Sequence, residues 1–192
     1  MKIGVLAIQG DYEAHKRRLE QLGADVLLVR KPEQLDLIDA IVIPGGESST
    51  FLNFLAERNF LEKLREFVNS QPTFGTCAGA ILLARDVENP PQPSLNALDI
   101  RIRRNAYGRQ NESSIRQVAT KLGDKPLEMV FIRAPRIIRT GKDVEVLASE
   151  SGDPVLVRQG KIMAATFHPE LSVDVRVHQA FLELVKNGNR TK

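Results

Sequence analysis

Two hydrophobic periods alternate through the first half of the chain, and that alternation restricts the fold more than any other feature. Residues 2–8, 25–29 and 39–43 are short, nearly continuous apolar runs, as in Asp39-Ala40-Ile41-Val42-Ile43. Between and after them, residues 12–22, 48–57 and 60–68 place apolar side chains at helical spacing with charges between. Strands lacking polar alternation are buried on both faces, which is the mark of a parallel sheet. The βαβαβα order therefore predicts an α/β fold in three layers, with a mostly parallel central sheet flanked by helices. Phe74 begins a further strand that runs into Cys77, and Ser48 or Ser49 is expected to cap the helix after Pro44-Gly45-Gly46.

The second half reads differently. Residues 88–94 carry three prolines and form a loop. Short β-rich pieces follow at 98–103, 128–132, 144–148, 154–157 and 161–167, then a helix over 174–186. They predict a smaller antiparallel β element. No linker or repeat interrupts the chain, so residues 1–192 are expected to form a single domain.

Composition excludes several classes. Apolar residues make up 42% and charged residues 27%, which is ordinary globular usage. The formal charge of +3 is a small excess of 27 basic over 24 acidic residues, and no basic tail or aromatic cluster supports nucleic-acid binding. A single cysteine excludes an intramolecular disulfide framework and a Cys-rich zinc site. No residue pair has metal-ligand spacing, and no metal or cofactor is expected. The start has no signal-peptide pattern, and no apolar run approaches the length of a membrane span, so a cytoplasmic location is expected.

The lone cysteine sits in Gly75-Thr76-Cys77-Ala78-Gly79. A G-x-C-x-G segment between a strand and a helix exposes its central residue on a sharp turn, as a nucleophile requires. The helix that follows points its positive end at the sulfur and favours thiolate. The Ala78 N–H, next after the nucleophile, is placed to help hold an oxyanion. A second segment, Phe167-His168-Pro169-Glu170-Leu171, follows a strand. Pro169 holds His168 extended, and residues two apart then face the same way, so Glu170 can orient His168 from behind. His168 would take the thiol proton and later deliver one to the leaving amine. A third segment, Pro44-Gly45-Gly46-Glu47-Ser48, suits a second oxyanion donor at Gly46, and serves a plain β–α turn equally well. His15 and His178, on the first and last helices, are expected to face solvent or a partner.

Together these segments resemble the class I glutamine amidotransferases, the Cys-His-Glu glutaminase type. The resemblance narrows with Gly4-Val5-Leu6-Ala7-Ile8-Gln9-Gly10, Pro44 to Thr50, Arg104-Asn105-Ala106-Tyr107-Gly108-Arg109-Gln110, Phe131-Ile132-Arg133-Ala134-Pro135 and the His168 segment. These look like the glutaminase subunits of pyridoxal 5′-phosphate synthases. The resemblance implies a flavodoxin-like fold. It also implies hydrolysis of glutamine to glutamate and ammonia through a thioester, with Cys77 as nucleophile, His168 as base and acid, and Glu170 as its orienter. Gly46, Glu47, Ser48, Arg104, Ile132 and Arg133 would line the glutamine site, and Gly46 and Ala78 the oxyanion hole. The ammonia would pass through a tunnel to a (β/α)8 synthase subunit that makes pyridoxal 5′-phosphate, in a large hetero-oligomer with a dodecameric synthase core. The glutaminase of another amidotransferase, a stand-alone cysteine hydrolase and a catalytically silent regulatory domain are the alternatives. The chain departs from the family pattern at Ala80 and over residues 111–115.

Overall fold

The computed structural model describes residues 1–106 and 113–189. Residues 107–112, which include the end of the Arg104 motif and part of the 111–115 departure, lie outside the described residues.

The alternation in the first half produces β1 (Lys2–Leu6), α1 (Tyr12–Gln21), β2 (Asp25–Val29), β3 (Ala40–Ile43), α2 (Ser48–Leu55), α3 (Phe60–Ser70), β4 (Thr73–Thr76) and the short α4 (Ala78–Leu83). The second half adds β5 (Ala84–Glu88), β6 (Leu98–Arg103), β7 (Ser113–Thr120), β8 (Gly123–Ile132), β9 (Arg136–Thr140), β10 (Glu145–Glu150), β11 (Asp153–Gln159), β12 (Ile162–Ala165) and α5 (Arg176–Asn189).

The main sheet has the order β2-β1-β3-β4-β12-β11-β10-β7-β8. From β2 to β12 every pairing is parallel; from β12 to β8 every pairing is antiparallel. The expected antiparallel element is thus mostly an extension of the central sheet. A separate three-stranded sheet, β5-β6-β9, packs beside it.

Strand periodicity assigns the two cores. Ile41 and Ile43 of β3 face α2, α3 and α4, with Phe51, Leu55 and Leu64. Ala40 and Val42 face the other way, with Leu19 of α1 and Val177, Phe181 and Val185 of α5. Burying both faces is what the unbroken apolar runs require. No described helix is long and apolar enough to cross a membrane.

The order 2-1-3-4 reverses direction between β1 and β3. In open α/β sheets, ligands bind outside the carboxyl ends of the strands at such a reversal. The loops after β1, β3, β4 and β12 all open there, and they carry Gln9-Gly10-Asp11, Pro44 to Glu47, Cys77 and His168.

Candidate active site

Cys77 lies between β4 and α4 with φ 47° and ψ −103°, and is 7% exposed. A positive φ at a residue with a Cβ is strained and must be held by its surroundings. Its N–H donates to Ala165 O of β12 at 2.8 Å, and its carbonyl accepts from Ile81 N at 3.2 Å. The flanking glycine is needed by close approach. A Cβ on Gly79 would lie 2.0 Å from Ile43 O, so only glycine lets α4 meet the end of β3. The sharp turn expected from G-x-C-x-G is present.

His168 follows β12 with its N–H donating to Val130 O at 2.8 Å. Its ring is buried and lines the same cleft as Cys77, and its Nδ1 lies 2.7 Å from Glu170 Oε1. A Cβ on Gly45 would come within 2.5 Å of His168 Cε1, so the glycine after β3 makes room for the imidazole. Glu170 does reach His168, but not by the extended geometry expected. Residues Pro169–Leu171 form a 3-10 turn, with Pro at its first position, and this turn swings the carboxylate back under the ring.

Burial pushes the His168 pKa down. Its interactions with the neighbouring Cys77 and with Glu170 outweigh that and raise it to about 10. The ring therefore holds its proton at neutral pH. Burial pushes Glu170 up, but His15 and His168 overcome this and hold it below the usual carboxylate value.

The other anticipated residues converge on one cleft of about 310 Å³. Gly46 and Glu47 enter from the β3–α2 loop, Ser48 from the first position of α2, Arg104 from the end of β6, and Ile132 and Arg133 from the end of β8; buried Cys77 and His168 line it too. Ala78 is buried at the start of α4, directly after Cys77. Gly46 has φ 140°. Arg133 has φ 45°, so its backbone is held in the left-handed region at the cleft rim. Arg104 is 9% exposed, and its Nη2 donates to Glu47 Oε1 at 3.1 Å and Ser49 Oγ at 3.0 Å. Hydrogen bonds from Ser49, with the charges of Arg104 and Arg133, hold the Glu47 carboxyl below its ordinary value, against the opposing effect of burial. Glu47 is also the N-cap of α2, accepting from Ser49 N at 3.1 Å; the cap is a carboxylate, not the serine expected. Ser48 instead donates to Gln92 Oε1 at 3.0 Å.

Three features escaped the sequence reading. Asp11, after β1, lines the cleft. Its carboxylate, His168 and Glu170 bring ligand-type atoms within 4.8 Å of one another, but His168 and Glu170 are already engaged with each other. His15 and His178, expected at the surface, are both fully buried. His15 stands behind Glu170, and His178 stands behind His15. A helical wheel of α1 would have flagged His15, which follows buried Ala14 and precedes buried Leu19 by one turn. A second cavity of about 290 Å³, walled by residues such as Phe131, Arg136 and Asp153, contains neither cysteine nor histidine.

Residues 5–187 match the SNO glutamine amidotransferase family. A protein of Koribacter versatilis described as pyridoxal 5′-phosphate synthase subunit PdxT is 64% identical over 189 residues, covering 98% of each chain. One of Thermotoga neapolitana with the same description is 52% identical over 188 residues, covering 97% of this chain and all of the relative. A crystal structure of a glutamine amidotransferase superposes with a TM-score of 0.89 at 46% identity, covering 96% of this chain and 98% of the other. With most of its length matched, the chain belongs to the SNO glutamine amidotransferase family.

Proposed function

We propose that this protein is the glutaminase subunit of a pyridoxal 5′-phosphate synthase, hydrolysing glutamine and supplying the ammonia to a synthase subunit. The observation that carries the reading is the buried Cys77–His168–Glu170 series at a cleft walled by Glu47, Arg104 and Arg133. The identity with PdxT relatives over nearly the whole chain supports the partner and the product.

In this reading, the Cys77 sulfur attacks the side-chain amide carbon of glutamine. The amide oxygen becomes an oxyanion, held by the N–H groups of Ala78 and Gly46. His168, already protonated, gives its proton to the amide nitrogen, and the C–N bond breaks with release of ammonia. A thioester remains on Cys77. His168, now neutral, takes a proton from water, which attacks the thioester; collapse releases glutamate and returns the sulfur and the imidazolium to their starting state. Glu170 keeps the ring oriented and stabilises its positive charge. Gly46, Glu47, Ser48, Arg104, Ile132 and Arg133 hold the glutamine backbone and side chain. The proposed assembly is a (β/α)8 synthase core carrying this subunit, in the cytoplasm, where a reducing environment keeps Cys77 free.

Glutamine labelled with ¹⁵N at the side-chain amide tests the reading. With a synthase subunit and its sugar phosphate substrates, the label is expected in the pyridine nitrogen of the product. Glutamate release without labelled pyridoxal phosphate would assign the ammonia to another acceptor. No glutamate release with the partner present would remove the glutaminase reading.

A further inference from the structure

Behind the catalytic carboxylate the structure holds two more histidines in series. His15 of α1 places Nε2 3.2 Å from Glu170 Oε2 and 3.1 Å from Thr76 Oγ1. His15 Nε2 hydrogen-bonds Thr76 Oγ1, whereas Glu170 Oε2 is buried with no hydrogen-bond partner among the described residues, so His15 faces that oxygen by electrostatic contact. His15 Nδ1 lies 3.0 Å from His178 Nε2 of α5. Both rings are fully buried. Glu170 Oε1 is taken by His168, so His15 is the group that faces the other oxygen.

Polar accounting fixes the protons. His178 Nδ1 is buried with no hydrogen-bond partner among the described residues. A proton there would be a buried, unsatisfied donor; a bare nitrogen costs less. His178 then carries its proton on Nε2 and donates to His15 Nδ1, which must accept. His15 in turn carries its proton on Nε2, facing Thr76 and Glu170. The opposite arrangement would set a nitrogen lone pair against the carboxylate and bury a stranded N–H on His178. Burial lowers both pKa values, that of His178 to about 3, in agreement with two neutral rings. The groups facing His15 are Glu170 and His168 from the segment after β12, Asp11 from its own helix start, Thr76 from β4 and His178 from α5; Arg18 of α1 also acts on His178.

We infer that His15, with its tautomer set by His178, is a positioning residue that fixes the second oxygen of Glu170 and thereby holds His168 over the Cys77 thiol. It touches no substrate atom. A neutral ring in this place orients the carboxylate without neutralising it, so the full negative charge remains for His168. The inference rests on the triad of the proposed glutaminase, and not on which amide that triad cleaves.

The single cysteine makes a direct test available. Alkylation of Cys77 by iodoacetamide reports the activated thiol without glutamine or partner. In the intact chain, His15→Ala is expected to slow alkylation at pH 7 by about tenfold or more, since small misplacement of a catalytic group carries penalties of that order. His15→Gln, whose amide nitrogen can occupy the Nε2 position, is expected to recover most of the rate. The alkylation-rate profile of His15→Ala should also shift along the pH axis, as His168 loses the support of a fixed Glu170. Ring ¹⁵N shifts of His15 and His178 in the wild-type protein should report the neutral Nε2–H form between pH 6 and 8. Wild-type alkylation rate and profile in folded His15→Ala, equal defects in His15→Ala and His15→Gln, or an Nδ1–H form of either ring would overturn the inference. Failure of glutamine hydrolysis alongside the predicted alkylation pattern would count against the substrate and leave the positioning role of His15 standing.

Discussion

Cys77 holds its strained backbone, with φ 47°, because β4, β12 and α4 leave it no other course. The proton beside it sits on His168, whose pKa lies near 10 against an ordinary 6.5. A histidine with a raised folded-state pKa stabilises the fold fully below its unfolded value and loses that contribution as pH rises through the folded one. The His168 contribution to stability is thus expected to fall between about pH 6.5 and 10, read as a declining urea midpoint. Glu170→Gln removes the charge that supports the imidazolium. It should flatten that decline and, by disabling His168 as acid and base, reduce glutamine turnover by about 10²–10⁴-fold. Arg104 acts at the rim. Arg104→Ala leaves Glu47 without its guanidinium and is expected to raise the KM for glutamine about tenfold, near 1.4 kcal/mol, with a smaller change in kcat.

At the scale of elements, the site depends on how closely loops approach one another. The space at Gly79 is closed by Ile43 O, so Gly79→Ala should displace α4, destabilise the protein by about 1–3 kcal/mol and lower activity more than stability. Thermal melts and turnover measured on the same preparation separate the two. Much of this was legible beforehand. The β1 to β4 run and the elbow follow from apolar period and glycine placement. His168 and Glu170 were recognisable as a pair, but the turn that joins them was not, because Pro169 suits an extended segment and a 3-10 start equally. β7 was missed because its exposed surface is nearly continuous: Val118 is the one fully buried side chain of that strand, so Ser113–Thr120 shows no clean alternation. β5 was hidden by the all-apolar α4, which passes into it without a turn signal. His15 and His178 were misplaced since a histidine among charged neighbours reads as surface until a second helix is seen to cover it.

Across the whole molecule, the buried histidines pull stability in opposite directions. His178, its pKa lowered to about 3 by burial, destabilises the fold as pH falls from 6.5 toward that value, because only the unfolded chain gains the proton. His168 acts above 6.5. These two groups therefore place their joint maximum of stability near pH 6.5, and a melting series from pH 4 to 10 should peak there; a monotonic series would contradict the assignment. The fold sets all these groups at the strand-order reversal of one sheet, where the loops after β1, β3, β4 and β12 meet. The account turns on Cys77 attacking glutamine in that cleft. The most direct measurement is glutamate release from glutamine by the wild-type subunit and by Cys77→Ala, each with the synthase subunit present. The account predicts turnover that vanishes in Cys77→Ala while the fold is retained. Undiminished glutamate release from Cys77→Ala would contradict it.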